Sequence, residues 1–166
     1  GAVYASYFFG VFIMVLPAGI ASDRIGRVPL IHAGLILTLI SGILIMFYPS
    51  GLPLLTFRVI EGIGAGLAFS AALAWANSHP SPGRVSGYVM AAQNLGLVAG
   101  LLVTGWLTVA CESHLAGIAA FTALTVPALL MGTTIREGRR EGFMEADLPM
   151  IVRDYLHLFV AVAGLV

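Results

Sequence analysis

The chain has 166 residues, 59% of them hydrophobic and 10% charged, with a mean hydropathy of +0.99, whereas ordinary soluble domains carry about 25% charged residues. A soluble globular domain, a coiled coil, collagen and a disordered tail are excluded, and Cys111 stands alone, so no disulfide forms within the chain. The formal charge is zero and every basic residue is an arginine; no nucleic-acid partner is expected.

A bilayer helix needs about 20 mostly apolar residues. Charge and turn residues divide the chain into apolar segments at 1–21, 28–48, 53–76, 86–110 and 115–135. The first opens at Gly1 without a charged leader or a cleavage pattern, so Gly1 reads as a cut end. The joints are Ser22 to Arg27, Tyr48 to Pro53, Asn77 to Arg84 and Cys111 to His114, short enough for antiparallel helix neighbours. Strands of a β-barrel would alternate polar and apolar residues, and no such alternation occurs. The expectation is an all-α polytopic membrane bundle. After residue 135 comes a charged stretch, 136–154, with a surface helix expected from Leu148, and 155–166 reads as the start of a further span.

Arginine placement sets the expected orientation, because positively charged loops stay cytoplasmic. Arg24, Arg27, Arg84, Arg136, Arg139, Arg140 and Arg153 fall in the first and third joints and the tail, and the second and fourth joints hold none. Gly1 and Cys111 are therefore expected at the outer face of the cell membrane. One span is expected before Gly1.

The end of the first span carries Gly19, Asp23, Arg24, Gly26 and Arg27. A tight glycine turn holding charges of both signs can lock that helix end, through an ion pair or a neighbouring helix terminus, or it can be a solvated turn. In the third span lie Arg58 and Glu61. Each costs roughly 2.5 to 3.5 kcal/mol near a bilayer centre, and their i, i+3 spacing lets them pair with each other or share a wet cavity. Arg58, Gly62, Gly66, Ser70 and Ala74 form a ridge of i+4 steps, and with Gly64 the glycines offer close helix packing. In the fourth span Gln93, Gly96, Gly100 and Thr104 share one stripe, flanked by Asn94, Gly87 and Gly105. A second stripe of Gly34, Thr38, Ser41 and Gly42 marks the second span, and Thr122, Thr125 and Pro127 mark the fifth. These faces serve packing or together line a weakly polar pathway.

Gly19-x-x-x-Asp23-Arg24-x-Gly26-Arg27 resembles the signature loop between the second and third helices of the major facilitator superfamily of secondary transporters. Arg58-x-x-x-Gly62-x-Gly64 resembles its fourth-helix motif. Gly87-x8-Gly96-x3-Gly100 with Gly105 is similar to the fifth-helix motif of the proton-coupled drug antiporter branch. The resemblance implies an incomplete N-terminal half of a twelve-helix fold, in which 1–135 are helices two to six, 136–154 the cytoplasmic linker and 155–166 the start of helix seven. It also implies alternating access by two bundles around a midplane site.

On that resemblance Gly19, Asp23, Arg24, Gly26 and Arg27 are latch residues. Arg58, Glu61, Gln93 and Asn94 are candidates for the transport cavity and proton coupling, and Gly62, Gly64, Gly66, Gly87, Gly96, Gly100 and Gly105 for helix packing. The implied function is proton-coupled efflux of small molecules, with the lipid bilayer, protons and the absent second half as partners. A nutrient symporter or uniporter of the same fold and a non-transporting membrane scaffold are the alternatives. His32, His79, His114 and His157 are scattered near different span ends, and neither H-E-x-x-H nor G-x-S-x-G occurs; no enzyme activity, metal or cofactor is expected.

Overall fold

The computed structural model describes residues 1–135; the expected linker at 136–154, its surface helix and the further span at 155–166 lie outside the described residues. Five α-helices follow one another: α1 (Ala2–Ile25), α2 (Arg27–Phe47), α3 (Gly51–Asn77), α4 (Pro82–Ala110) and α5 (His114–Gly132). All five are long and apolar enough to cross a membrane, and no strand occurs among the described residues. The fold is an all-α bundle of membrane-length helices.

The helices run further into the joints than hydropathy indicates, because capping and turn residues set helix ends. α1 continues through Ser22, Asp23 and Arg24, and a single residue, Gly26, separates it from α2. Gly26 adopts φ 115 and ψ 151, a region essentially reserved for glycine. The Gly26 N–H donates to the Ser22 carbonyl at 3.1 Å, and the buried Ser22 turns its Oγ back onto the Gly19 carbonyl at 2.7 Å. α4 starts at Pro82, where a proline costs no helical hydrogen bond. α5 starts after Ser113, whose Oγ accepts from the Leu115 N–H at 3.3 Å.

α3 sits against α1 and α2 along its length and touches α4. α2 also meets α5, and α5 meets α4, so α2, α3, α4 and α5 close a ring with α1 on the α3 side. Glycines make these approaches possible. A Cβ on Gly62 would strike the Tyr7 carbonyl oxygen of α1, and one on Gly10 would strike that of Val59 in α3. A Cβ on Gly66 would come within 2.8 Å of the Val11 carbonyl oxygen. Two residues along from Gly62, Gly64 faces α2 instead, where Gly34 and Thr38 press against it. Thus one helix presents glycines to two neighbours, and Ser70, on the α1 ridge, donates to the Val15 carbonyl at 3.2 Å. Leu30, Ile31 and Ala71 form the buried core between α2 and α3, with Ala21, Leu35, Leu67 and Ala72 around it.

α4 is different: none of its residues is buried. Gly100 meets the Phe121 ring and Thr104 meets Gly117 of α5, but a Cβ on Gly87, Gly96 or Gly105 would enter open space. Of the fourth-span glycines, Gly100 alone meets a neighbour, and Thr104 one turn on packs against Gly117, because α5 passes that stretch of α4. The second-span stripe is spent on packing as well, with Gly34 against α3 and Gly42 against Thr122 of α5.

Candidate functional site

α3 carries its two charged side chains in its first three turns, Arg58 seven residues from Gly51 and Glu61 one turn further on. Nη1 of Arg58 donates to Oε2 of Glu61 at 3.0 Å. Their side chains retain 22% and 15% of their exposure, so this is a largely desolvated pair inside an apolar helix. Attraction between such charges is strong at low dielectric, yet desolvation offsets much of it. Removing one partner strands the other, which is the costly event. Of the two arrangements left open by the spacing, the direct pair is present.

The pair does not use all of Arg58. Its Nε is buried without a hydrogen-bond partner, and the side chain lines a cavity of about 520 Å³. The cavity lies at the end of the bundle where the α2–α3 and α4–α5 joints meet the start of α1. Val3, Pro49, Leu54 and Ile118 supply apolar wall, and Glu112 supplies a second charge. Glu112 is the one non-glycine residue at positive φ among the described residues, at 49°. Tyr7 of α1 lies within Coulombic reach of both Arg58 and Glu61.

Gln93 and Asn94 are exposed on α4 and share neither the ion pair nor the cavity. Asn94 turns its Nδ2 onto its own helix, donating to the Met90 carbonyl at 2.8 Å. The structure therefore groups Arg58 and Glu61 with Tyr7 and Glu112, and leaves Gln93 and Asn94 elsewhere. Tyr7 and Glu112 had no sequence signal beyond residue type, since their nearness to Arg58 depends on how α1 packs on α3 and α5 on α2.

At the opposite end Arg27 Nη2 lies 3.8 Å from Asp23 Oδ1. This i, i+4 pair crosses Gly26 and ties the last turn of α1 to the first residue of α2. Asp23 is nearly half exposed and Arg27 is mostly covered; at that separation the pair adds little stability of its own. A Cβ on Gly19 would meet nothing within 4 Å. Arg24 faces a shallow groove of about 460 Å³ with Leu16, Pro17 and Ile20.

The family model described as Major Facilitator Superfamily matches residues 1–163 of the chain. No curated protein matches it.

Proposed function

The chain belongs to the major facilitator superfamily, a family of membrane transporters, and from that premise we propose that the protein is a proton-coupled exporter of small amphiphilic molecules working by alternating access. The five described helices are then helices two to six of the first bundle, facing a second bundle across a midplane pathway. The observation that carries the coupling is the Arg58–Glu61 pair. A carboxylate and a guanidinium held 3.0 Å apart within a membrane-length helix are expensive to keep there, and an ionisable residue at such depth marks an ion or substrate path.

In this reading Glu61 takes up and releases the proton, and Arg58 stabilises the ionised carboxylate between those events. Tyr7 lies near the pair on the α1 side. Asp23, Arg24, Gly26 and Arg27 form a cytoplasmic latch. A one-residue glycine turn spanned by an ion pair couples α1 to α2 as a stiff hairpin, so that a change at this end is passed to both helices. A latch of this kind biases the conformational equilibrium without touching the ligand. The glycine contacts of α3 with α1 and α2 keep these three helices moving as one body.

Proteoliposomes containing the whole gene product and an internal pH dye test the reading. With an imposed proton gradient, adding a transported amphiphile drives a substrate-dependent proton flux in the opposite direction. Gradient-independent leakage of every amphiphile tried, or transport unaffected by a protonophore, would contradict it.

A further inference from the structure

We propose that the face of α4 running from Tyr88 to Trp106 is a boundary with lipid, and that Arg84 and Tyr88 at its end bind the phosphate of an anionic phospholipid.

Tyr88, Leu95, Leu102, Trp106 and Val109 are separated by seven, seven, four and three residues, steps that hold one helix face to within about 60°. Their exposures are 62%, 71%, 70%, 69% and 79%, and no other large apolar residue of α4 exceeds 57%. The bundle lies on the other side. Ser86 bonds to Asn77 of α3, Gly100 meets Phe121 of α5 and Thr104 meets Gly117, and these positions stand about 120 to 160° round the helix from Tyr88.

Composition says what covers this face. Helices in a membrane approach one another through small residues, and those of α4 lie elsewhere: Gly100 toward α5, and Gly87 and Gly105 on a flank about 100° from Tyr88. The stripe itself is bulky, with one aromatic ring at each end and no aromatic residue anywhere in α4 between them. Tyr88 and Trp106 are five full turns apart, about 27 Å, close to the roughly 30 Å of a hydrocarbon core. Tyrosine and tryptophan collect at the two membrane interfaces. Both rings therefore stand at headgroup level with an apolar stripe between them.

Arg84 lies one turn beyond Tyr88. Its Nε donates to the Tyr88 hydroxyl at 3.2 Å, and its guanidinium carbon lies 5.9 Å from the ring centroid, which fixes the guanidinium beside the interface. It takes part in neither ion pair found among the described residues. It is also the one charged residue of α4, and the joint from Ser78 to Ser81 holds no acid. A guanidinium held by Nε keeps its two terminal nitrogens for an oxyanion, and phosphate matches that fork. Arginine bias predicts that this end is cytoplasmic, and the cytoplasmic leaflet is the one that carries anionic lipid.

The test reads lipid at two depths on the stripe. The whole gene product, freed of its native cysteines, carries a fluorophore on Leu95→Cys, about 10 Å inside Tyr88, or on Leu102→Cys in the other half of the helix. It is reconstituted into phosphatidylcholine bilayers containing phosphatidylglycerol, with one lipid or the other brominated along its chains. Brominated phosphatidylcholine is expected to quench both labels. At low salt the label at 95 is expected to select phosphatidylglycerol by about fivefold, the scale of one basic side chain at an anionic surface; the label at 102 shows no selection. In Arg84→Gln the selection at 95 disappears, while quenching by brominated phosphatidylcholine stays and reports an intact face. Absence of quenching at either position would show the face covered by another helix, of the same chain or of a second copy. That result, equal preference for the two lipids at 95, or a preference that survives Arg84→Gln overturns the proposal.

Discussion

Gly26 performs a job that no side chain can share. Its φ of 115 with ψ 151 is populated essentially by glycine alone, and forcing another residue there costs of order 1 to 3 kcal/mol. Gly26→Ala is therefore expected to destabilise the α1–α2 hairpin by about that amount, read as a lowered unfolding midpoint in detergent, whereas Gly19→Ala, with open space around its Cβ position, leaves the midpoint unchanged or raises it. Equal effects of the two substitutions would contradict this account of the turn. At this scale the sequence was partly legible. The i, i+3 spacing of Arg58 and Glu61 restricts them to a common side of α3, and the structure pairs them at 3.0 Å. Spacing within one helix says nothing about Glu112, which reaches the same cavity from a joint 50 or so residues away because α5 packs on α2 and brings that joint over the start of α3.

Among the elements, α3 is the one whose sequence is most constrained. Gly62 and Gly66 face α1, and Gly64 faces α2, so methyl groups there have backbone on the other side and nowhere to go. Overpacking of this kind costs about 1 to 3 kcal/mol. Gly62→Ala is expected to lower stability by that amount. Gly96→Ala on α4, where the added Cβ meets open space, is expected to be neutral or to stabilise by up to about 1 kcal/mol through helix propensity. Thermal unfolding of the two variants in the same detergent checks the contrast, and a Gly62→Ala protein as stable as its parent would contradict the packing described for α1 and α3. The helices themselves were legible because twenty-odd apolar residues in a row have no other fate in a bilayer. Their ends were less so, since Pro82, Ser113 and the φ of Gly26 set them, and hydropathy does not register a cap. Glycine spacing alone also failed to separate Gly100, which meets Phe121, from Gly96, which meets nothing described. That distinction depends on where α5 crosses.

For the molecule as a whole, the antiparallel order of five helices places the α2–α3 and α4–α5 joints at one end and the Asp23–Arg27 turn at the other. Cys111 is exposed on the α4–α5 joint. Arginine bias predicts that this end faces outward, so a membrane-impermeant thiol reagent is expected to label Cys111 in intact cells; labelling only after permeabilisation would reverse the orientation. The cavity of Arg58 and Glu112 would then open toward the outside, and the latch toward the cytoplasm.

The most direct test of the account concerns Glu61. Reconstituted protein carrying Glu61→Gln should lose proton-driven accumulation while retaining substrate exchange at zero gradient, because exchange needs rocking of the bundles but no net deprotonation. Stranding Arg58 in this variant costs up to about 3 to 5 kcal/mol, so its folded fraction is measured alongside that of the double variant Arg58→Gln with Glu61→Gln, which removes both charges. The account predicts exchange without accumulation in the folded single variant, and no recovery of accumulation in the double variant. A folded Glu61→Gln protein that accumulates substrate at the full proton-driven rate, or a double variant that regains it, would show Glu61 to be a structural partner of Arg58 and contradict its role as proton carrier.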